Sequence, residues 1–312
     1  ITRKRVRGGD PLREGLLPAG FSAEHLGPND YYYWDDFWGI AGLQAAARLA
    51  ARQGAAGEAE RWAREAEDFQ AAVFRSIAGL PAHRRTGAIP AAPYRRMDAG
   101  AVGSMVADYP LQLTAPGDAR VMRTLAFLME NCFFRGGFFQ DMIHSGVNAY
   151  LTLALAQTLL RAGDPRWQAL METVAGLATA TGQWPEAIHP FSGGGCMGDG
   201  QHGWAAAEWI MLVRNLFVRE EGEGLVLGAG VLPQWLAGGD AAFGPTATPH
   251  GPVLLRVKCA DGRPTARVDA RWHAAAPPLE IAVPGFAVVR DVTAGVPVSL
   301  EPRQGPPATA PK

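Results

Sequence analysis

Two stretches of this chain gather the residue types that acid–base chemistry needs. In the first, Tyr33, Trp34, Asp35, Asp36 and Trp38 run together inside a segment that also holds Asp30, Tyr31, Tyr32 and Phe37. The segment is too aromatic for an ordinary solvent loop and too acidic for a core. It suits the mouth of a cleft, where rings stack on a flat, partly apolar ligand such as a sugar and a carboxyl group stands beside it. Desolvation by such rings raises a carboxyl pKa and keeps the proton available for a leaving oxygen. The second stretch is Trp184-Pro185-Glu186, followed by Ala187, Ile188 and His189. Pro185 stiffens the backbone ahead of Glu186, and Trp184 offers a second stacking wall. Two carboxyl groups facing each other across a cleft are what glycosidic bond cleavage requires. One protonates the leaving oxygen, and the other handles water or the anomeric carbon.

Simpler roles compete with these. An Asp at a helix start accepts spare backbone N–H bonds, worth about 0.5–2 kcal/mol, so Asp35 or Asp36 is expected to cap the helix that follows. Neighbouring residues at a helix start point in different directions, so the two cannot play the same part. Other polar knots are expected to contact ligand hydroxyls: Arg95 with Arg96 and Asp98, His144 with Asp141, and Asp199 with His202. The glycine-rich run from Gly193 to Gly200 lacks the Lys-Ser/Thr ending of a phosphate loop and reads as a tight loop passing close to ligand. The histidines show no ligand spacing, so neither a metal nor a cofactor is expected.

The elements that must position these groups are mainly helical. Phe37, Ile40, Leu43, Ala47 and Ala50 fall at three- and four-residue steps and predict a helix from Asp36 to about Arg52. Trp62, Ala66, Phe69, Val73 and Ile77 predict a second, from Glu58 to Ala78. Further helices are expected over 98–108, 118–132, 145–161, 165–181 and 203–220, the last bearing Trp204, Ala207, Ile210, Leu212, Val213 and Leu216. Short joints near residues 54 and 163 alternate with long loops at 79–97, 133–144 and 182–202, as in helical hairpins with functional loops along one rim. After Glu223 short β-rich runs appear, separated by Gly, Pro and Asp-Gly. The expected organisation is a helical-hairpin region over 1–222, a small antiparallel β domain over 223–301 and a loose Pro-rich tail over 302–312.

The chain has 312 residues and a formal net charge of -1. That balance does not attract a phosphate backbone, so nucleic acid is not an expected partner. Arg3, Lys4, Arg5, Arg7 and Arg13 read as a solvated basic segment. No run is long and apolar enough to span a bilayer. Cys132, Cys196 and Cys259 form no disulfide framework and suit a reducing, cytoplasmic compartment.

The residues from Tyr33 to Gly39, with the Ala-rich helix behind them, resemble the general-acid segment of six-hairpin, (α/α)6-barrel glycosidases of the glucoamylase and glucodextranase group. Trp184-Pro185-Glu186-Ala187, the glycine-rich loop and Trp204 to Glu208 resemble that group's closing segment. The resemblance implies an (α/α)6 toroid, partial or complete, with Asp35 as general acid, Glu186 as general base and an inverting hydrolysis of an oligosaccharide, polysaccharide or glycoside. Tyr33, Trp34, Asp36, Trp38 and Trp184 would line the site with Arg95, His144, Asp199 and His202. The pair here is Asp-Asp where the group has Glu-Glu. Fewer helices are read than six hairpins need, so the chain resembles the later part of a barrel that requires an N-terminal region. A glycoside phosphorylase and a non-catalytic carbohydrate-binding or scaffold toroid are the rival readings.

Overall fold

The computed structural model describes residues 1–22, 28–84, 86–141, 146–198, 200–260 and 263–303. The chain divides into two compact units, Ile1–Ala206 and Ala207–Lys312. A mostly helical N-terminal region is followed by small, largely antiparallel sheets, and a further sheet lies among the helices.

In the first unit, α1 (Tyr33–Arg52) and α2 (Ala56–Ala78) pack as a pair joined by a turn in which Gly54 takes a positive φ of 77°. Their buried stripes follow the expected spacing: Phe37, Ile40, Leu43 and Ala50 from α1, and Ala66, Phe69, Val73 and Ile77 from α2. The segment Ala99–Ala107 is a 3-10 helix capped by Asp98, which accepts from the Gly100 N–H at 2.9 Å. Its small side chains let it lie against α1 and α3 (Ala119–Asn131). Asp118 caps α3 by accepting from the Arg120 N–H at 2.9 Å. Then follow β1 (Phe133–Phe134), β2 (Gly137–Gln140), β3 (Gly146–Asn148), α4 (Ala149–Arg161), α5 (Trp167–Gly176), β4 (Ala187–Ile188) and β5 (Gly195–Met197).

Strands β1 to β5 form an antiparallel sheet in chain order; β1, β2, β4 and β5 lie inside the stretches expected to be loops, and β3 takes the start of the helix expected over 145–161, which begins instead at Ala149. It places Ala187, the residue after Glu186, opposite Asn148 on one side and Met197 on the other. Two further expectations need correcting. Tyr32, rather than either aspartate, is the N-cap residue of α1, which starts at Tyr33 and carries Asp35 and Asp36 in its first turn. The basic N-terminal cluster is not uniformly solvated. Arg5 is buried, donating to the Gly15 carbonyl at 2.6 Å and to Asp68 Oδ2 at 2.8 Å, with its guanidinium over the Phe69 ring. Arg13 donates to Tyr31 Oη at 2.8 Å.

Helix α6 (Gly203–Phe217) carries the division between the units. It buries Ala205, Leu212 and Leu216, while Trp204 is 46 % and Ile210 65 % exposed. The second unit continues with β6 (Val218–Glu221), β7 (Gly224–Leu227), the short α7 (Pro233–Ala237), β8 (Ala241–Thr246), β9 (Val253–Ala260), β10 (Arg263–Ala270), β11 (Leu279–Ile281), β12 (Val289–Arg290) and β13 (Val298–Ser299). Two four-stranded sheets result, in the orders β13-β10-β9-β8 and β12-β11-β7-β6. Pairing is antiparallel except between β7 and β11, which run parallel. Val218, Leu225, Leu227, Val253, Leu255 and Val268 are among the residues of a common core. Among the described residues no sheet closes into a barrel, and no helix is long and apolar enough to cross a membrane.

Candidate functional site

The first turn of α1 sends its two adjacent aspartates to different surroundings. Asp35 is half-buried. Burial raises its pKa, and a hydrogen bond from the Ser22 hydroxyl opposes that rise in part. Trp34 lies beside it in sequence, and Trp38, one turn on and 41 % exposed, meets Trp34 edge to face at a centroid distance of 6.0 Å. A half-buried carboxyl with an elevated pKa next to an indole pair has the properties of a general acid.

Asp36 is fully buried. Its Oδ1 accepts from the Leu17 N–H at 2.8 Å, whereas its Oδ2 has no hydrogen-bond partner among the described residues. Burial, with the nearby Asp35 charge contributing less, pushes its pKa to about 8. Tyr33 is buried too, with its hydroxyl 2.8 Å from Ser76 Oγ. Both residues were expected to meet substrate; both face the core, because the first turn of α1 is covered by α2 and by the Leu16–Leu17 segment.

Glu186 immediately precedes β4 and is partly exposed. Across the β4–β5 pairing lies Gly198, with a positive φ of 67°; a Cβ there would sit 2.7 Å from Glu186 Cβ and 3.0 Å from its Oε2. The glycine-rich run thus passes close to the carboxylate. Trp184 does not form a ligand wall. It is buried, and its indole N–H donates to the Val174 carbonyl at 2.8 Å, tying the loop to α5. The Trp184 carbonyl accepts from the His202 N–H at 2.8 Å. The His202 ring lies 5.1 Å from that of Tyr150, on which the Trp204 indole stacks at 4.4 Å. Tyr150 gave no signal in sequence because it lies inside α4. Ser22, which bonds to Asp35, likewise carries no recognisable motif, whereas Gly198 belongs to the glycine-rich run expected to pass close to ligand. His144 and Asp199 lie outside the described residues.

Arg95 donates to Asp98 Oδ2 at 2.9 Å and to Tyr32 Oη at 3.4 Å, so the expected knot of Arg95 and Asp98 forms. It lines an open cavity of about 510 Å³ together with Pro28, Arg96, Asp98, Cys132 and Asp141. Among the described residues no cluster of three or more His, Cys, Asp or Glu could hold a metal ion. No protein-family model matches the chain, and a search of curated proteins finds no significant match.

Proposed function

We propose that the protein is a glycoside hydrolase in which Asp35 is the general acid and Glu186 the general base, acting by inversion. The observation that carries the reading is the divergent placement of the two aspartates in one helical turn. Asp35 is partly exposed beside the Trp34–Trp38 pair, while its neighbour is sealed in the core. Burial raises the Asp35 pKa, the direction required of a group that donates a proton to a leaving oxygen. Glu186 supplies a second, partly exposed carboxyl in the same unit. Trp34 and Trp38 supply the stacking surface, and Trp184 acts by anchoring the Glu186 loop.

The reading includes an (α/α)6 arrangement of helical hairpins. The outer face of α1 supports it. Leu49 is 57 % exposed, Ala45 is exposed, and a Cβ at Gly42 would have nothing within 4 Å. A further helix in a closed ring would cover that apolar stripe.

The test is turnover of a panel of α- and β-linked oligosaccharides, with the anomeric form of the product followed by NMR. Hydrolysis with inverted configuration is expected, lost in both Asp35→Asn and Glu186→Gln. Full activity in both variants would end the proposal, and a sugar phosphate formed only with added phosphate would favour a phosphorylase.

A further inference from the structure

The lining of the open cavity beside Arg95 restricts the chemistry of any ligand it could take. Its two arginines and two aspartates balance in charge. Arg95 and Asp98 are locked together at 2.9 Å, both side chains largely shielded from solvent. Arg96 and Asp141 are exposed, and neither side chain makes a hydrogen bond or ion pair among the described residues. The walls thus offer a planar guanidinium fork with five donors and a carboxylate with acceptor oxygens, both uncommitted. Phe127 and Met97 add an apolar surface.

We infer that this cavity is a binding subsite for a neutral oligosaccharide, gripped by Arg96 and Asp141 and rested on Phe127 and Met97. A sugar hydroxyl both donates and accepts, so it satisfies a guanidinium and a carboxylate at once, and its C–H face suits the apolar wall. A purely anionic ligand would face Asp141 and Asp98, and a purely cationic one would face both arginines. The volume lies within the roughly 300–1,000 Å³ of small-molecule sites and is generous for a single small polar molecule. Burial first, then the Asp141 and Asp98 charges, push the Cys132 thiol up to about 11, so it stays protonated and is a poor nucleophile. The choice of carbohydrate as ligand class rests on the proposed glycosidase reading; the existence and charge balance of the site do not.

The test is calorimetric titration of the full chain with maltotriose, isomaltotriose and cellotriose, with glucuronic acid and glucosamine as charged controls. At least one neutral trisaccharide is expected to bind more tightly than either control. Arg96→Ala and Asp141→Asn should each weaken it about tenfold, with Arg96→Lys intermediate. Both positions are exposed, so circular dichroism should report an unchanged fold. Undiminished affinity in the Ala and Asn variants, or no binding by any trisaccharide, would overturn the subsite. The Asp35→Asn protein separates the two ideas. If it binds trisaccharide normally but hydrolyses nothing, both stand. If it hydrolyses normally while Arg96→Ala loses binding, the catalytic assignment fails and the subsite survives.

Discussion

Asp36 Oδ1 accepts a hydrogen bond from the Leu17 N–H at 2.8 Å, while its Oδ2 is buried without a partner among the described residues. This one contact ties the N-terminal segment to the first turn of α1, and it places half a carboxyl group where a negative charge is poorly compensated. The Arg5 charge lowers the Asp36 pKa, but less than burial raises it, and the guanidinium is already committed to Gly15 and Asp68.

A pH dependence of stability follows. The folded-state pKa of Asp36 is raised from 3.8 to about 8, so the folded protein holds this proton more tightly than the unfolded chain. The contribution is fully present below about pH 4 and is lost as pH rises through about 8. Asp36→Asn keeps an acceptor for Leu17 and removes the titration. Its Tm relative to the parent protein should therefore increase steadily between pH 4 and pH 9. A constant Tm difference over that range would show that Asp36 is not held neutral.

Asp35 should govern the alkaline limb of the rate profile. A general acid must be protonated, so activity falls as pH rises through its elevated pKa. Asp35→Asn should lower kcat by roughly 10²–10⁴-fold and remove that limb. Ser22→Ala, which deletes the hydroxyl that opposes the upward shift, should move the limb to higher pH. A limb unmoved in Ser22→Ala and still present in Asp35→Asn would assign the acid elsewhere.

Gly198 should be intolerant of a side chain. Alanine there meets Glu186 Cβ at 2.7 Å and must also adopt a positive φ of 67°. Gly198→Ala is expected to cost about 1 kcal/mol in stability. It should also lower kcat more than the Tm change alone explains, because Glu186 must shift. Parent-like kcat in a folded Gly198→Ala protein would remove Glu186 from the reaction.

The ion pair between Arg161 and Asp108 is buried on both sides, and Arg161 also donates to the Thr114 carbonyl at 2.8 Å. Removing one partner strands the other charge. Arg161→Ala should destabilise by about 3–5 kcal/mol, visible as a large drop in denaturant midpoint. Desolvation already raises the Asp108 pKa despite the arginine, so the variant's loss should be smaller in acid, where Asp108 can protonate.

Helices α1 to α3 were legible because their apolar residues repeat at helical spacing over thirteen residues or more, and Asp118 marks a start by capping chemistry. The sheet of β1 to β5 was not. Strands such as Phe133–Phe134 and Gly195–Met197 are too short to establish a two-residue period, and their stability comes from pairing across the chain. The aromatic run drew attention to the first turn of α1, but composition could not say that Tyr33 and Asp36 turn inward while Asp35 and Trp38 turn outward. That follows from the covering of one face of α1 by α2 and Leu17. Trp184 misled for the same reason: an indole in a polar loop looks like a ligand wall until its N–H is found on the Val174 carbonyl.

The proposed hydrolysis has Asp35 and Glu186 work on one bond from opposite sides. Its most direct measurement is a crystal structure of the Asp35→Asn protein with a bound oligosaccharide, read for the distance between the side-chain carboxyl and carboxamide carbons. Inversion predicts about 6.5–9.5 Å with the scissile oxygen next to residue 35 and a water on Glu186. A sugar bound away from both residues, or the two groups opening onto different surfaces, would contradict it.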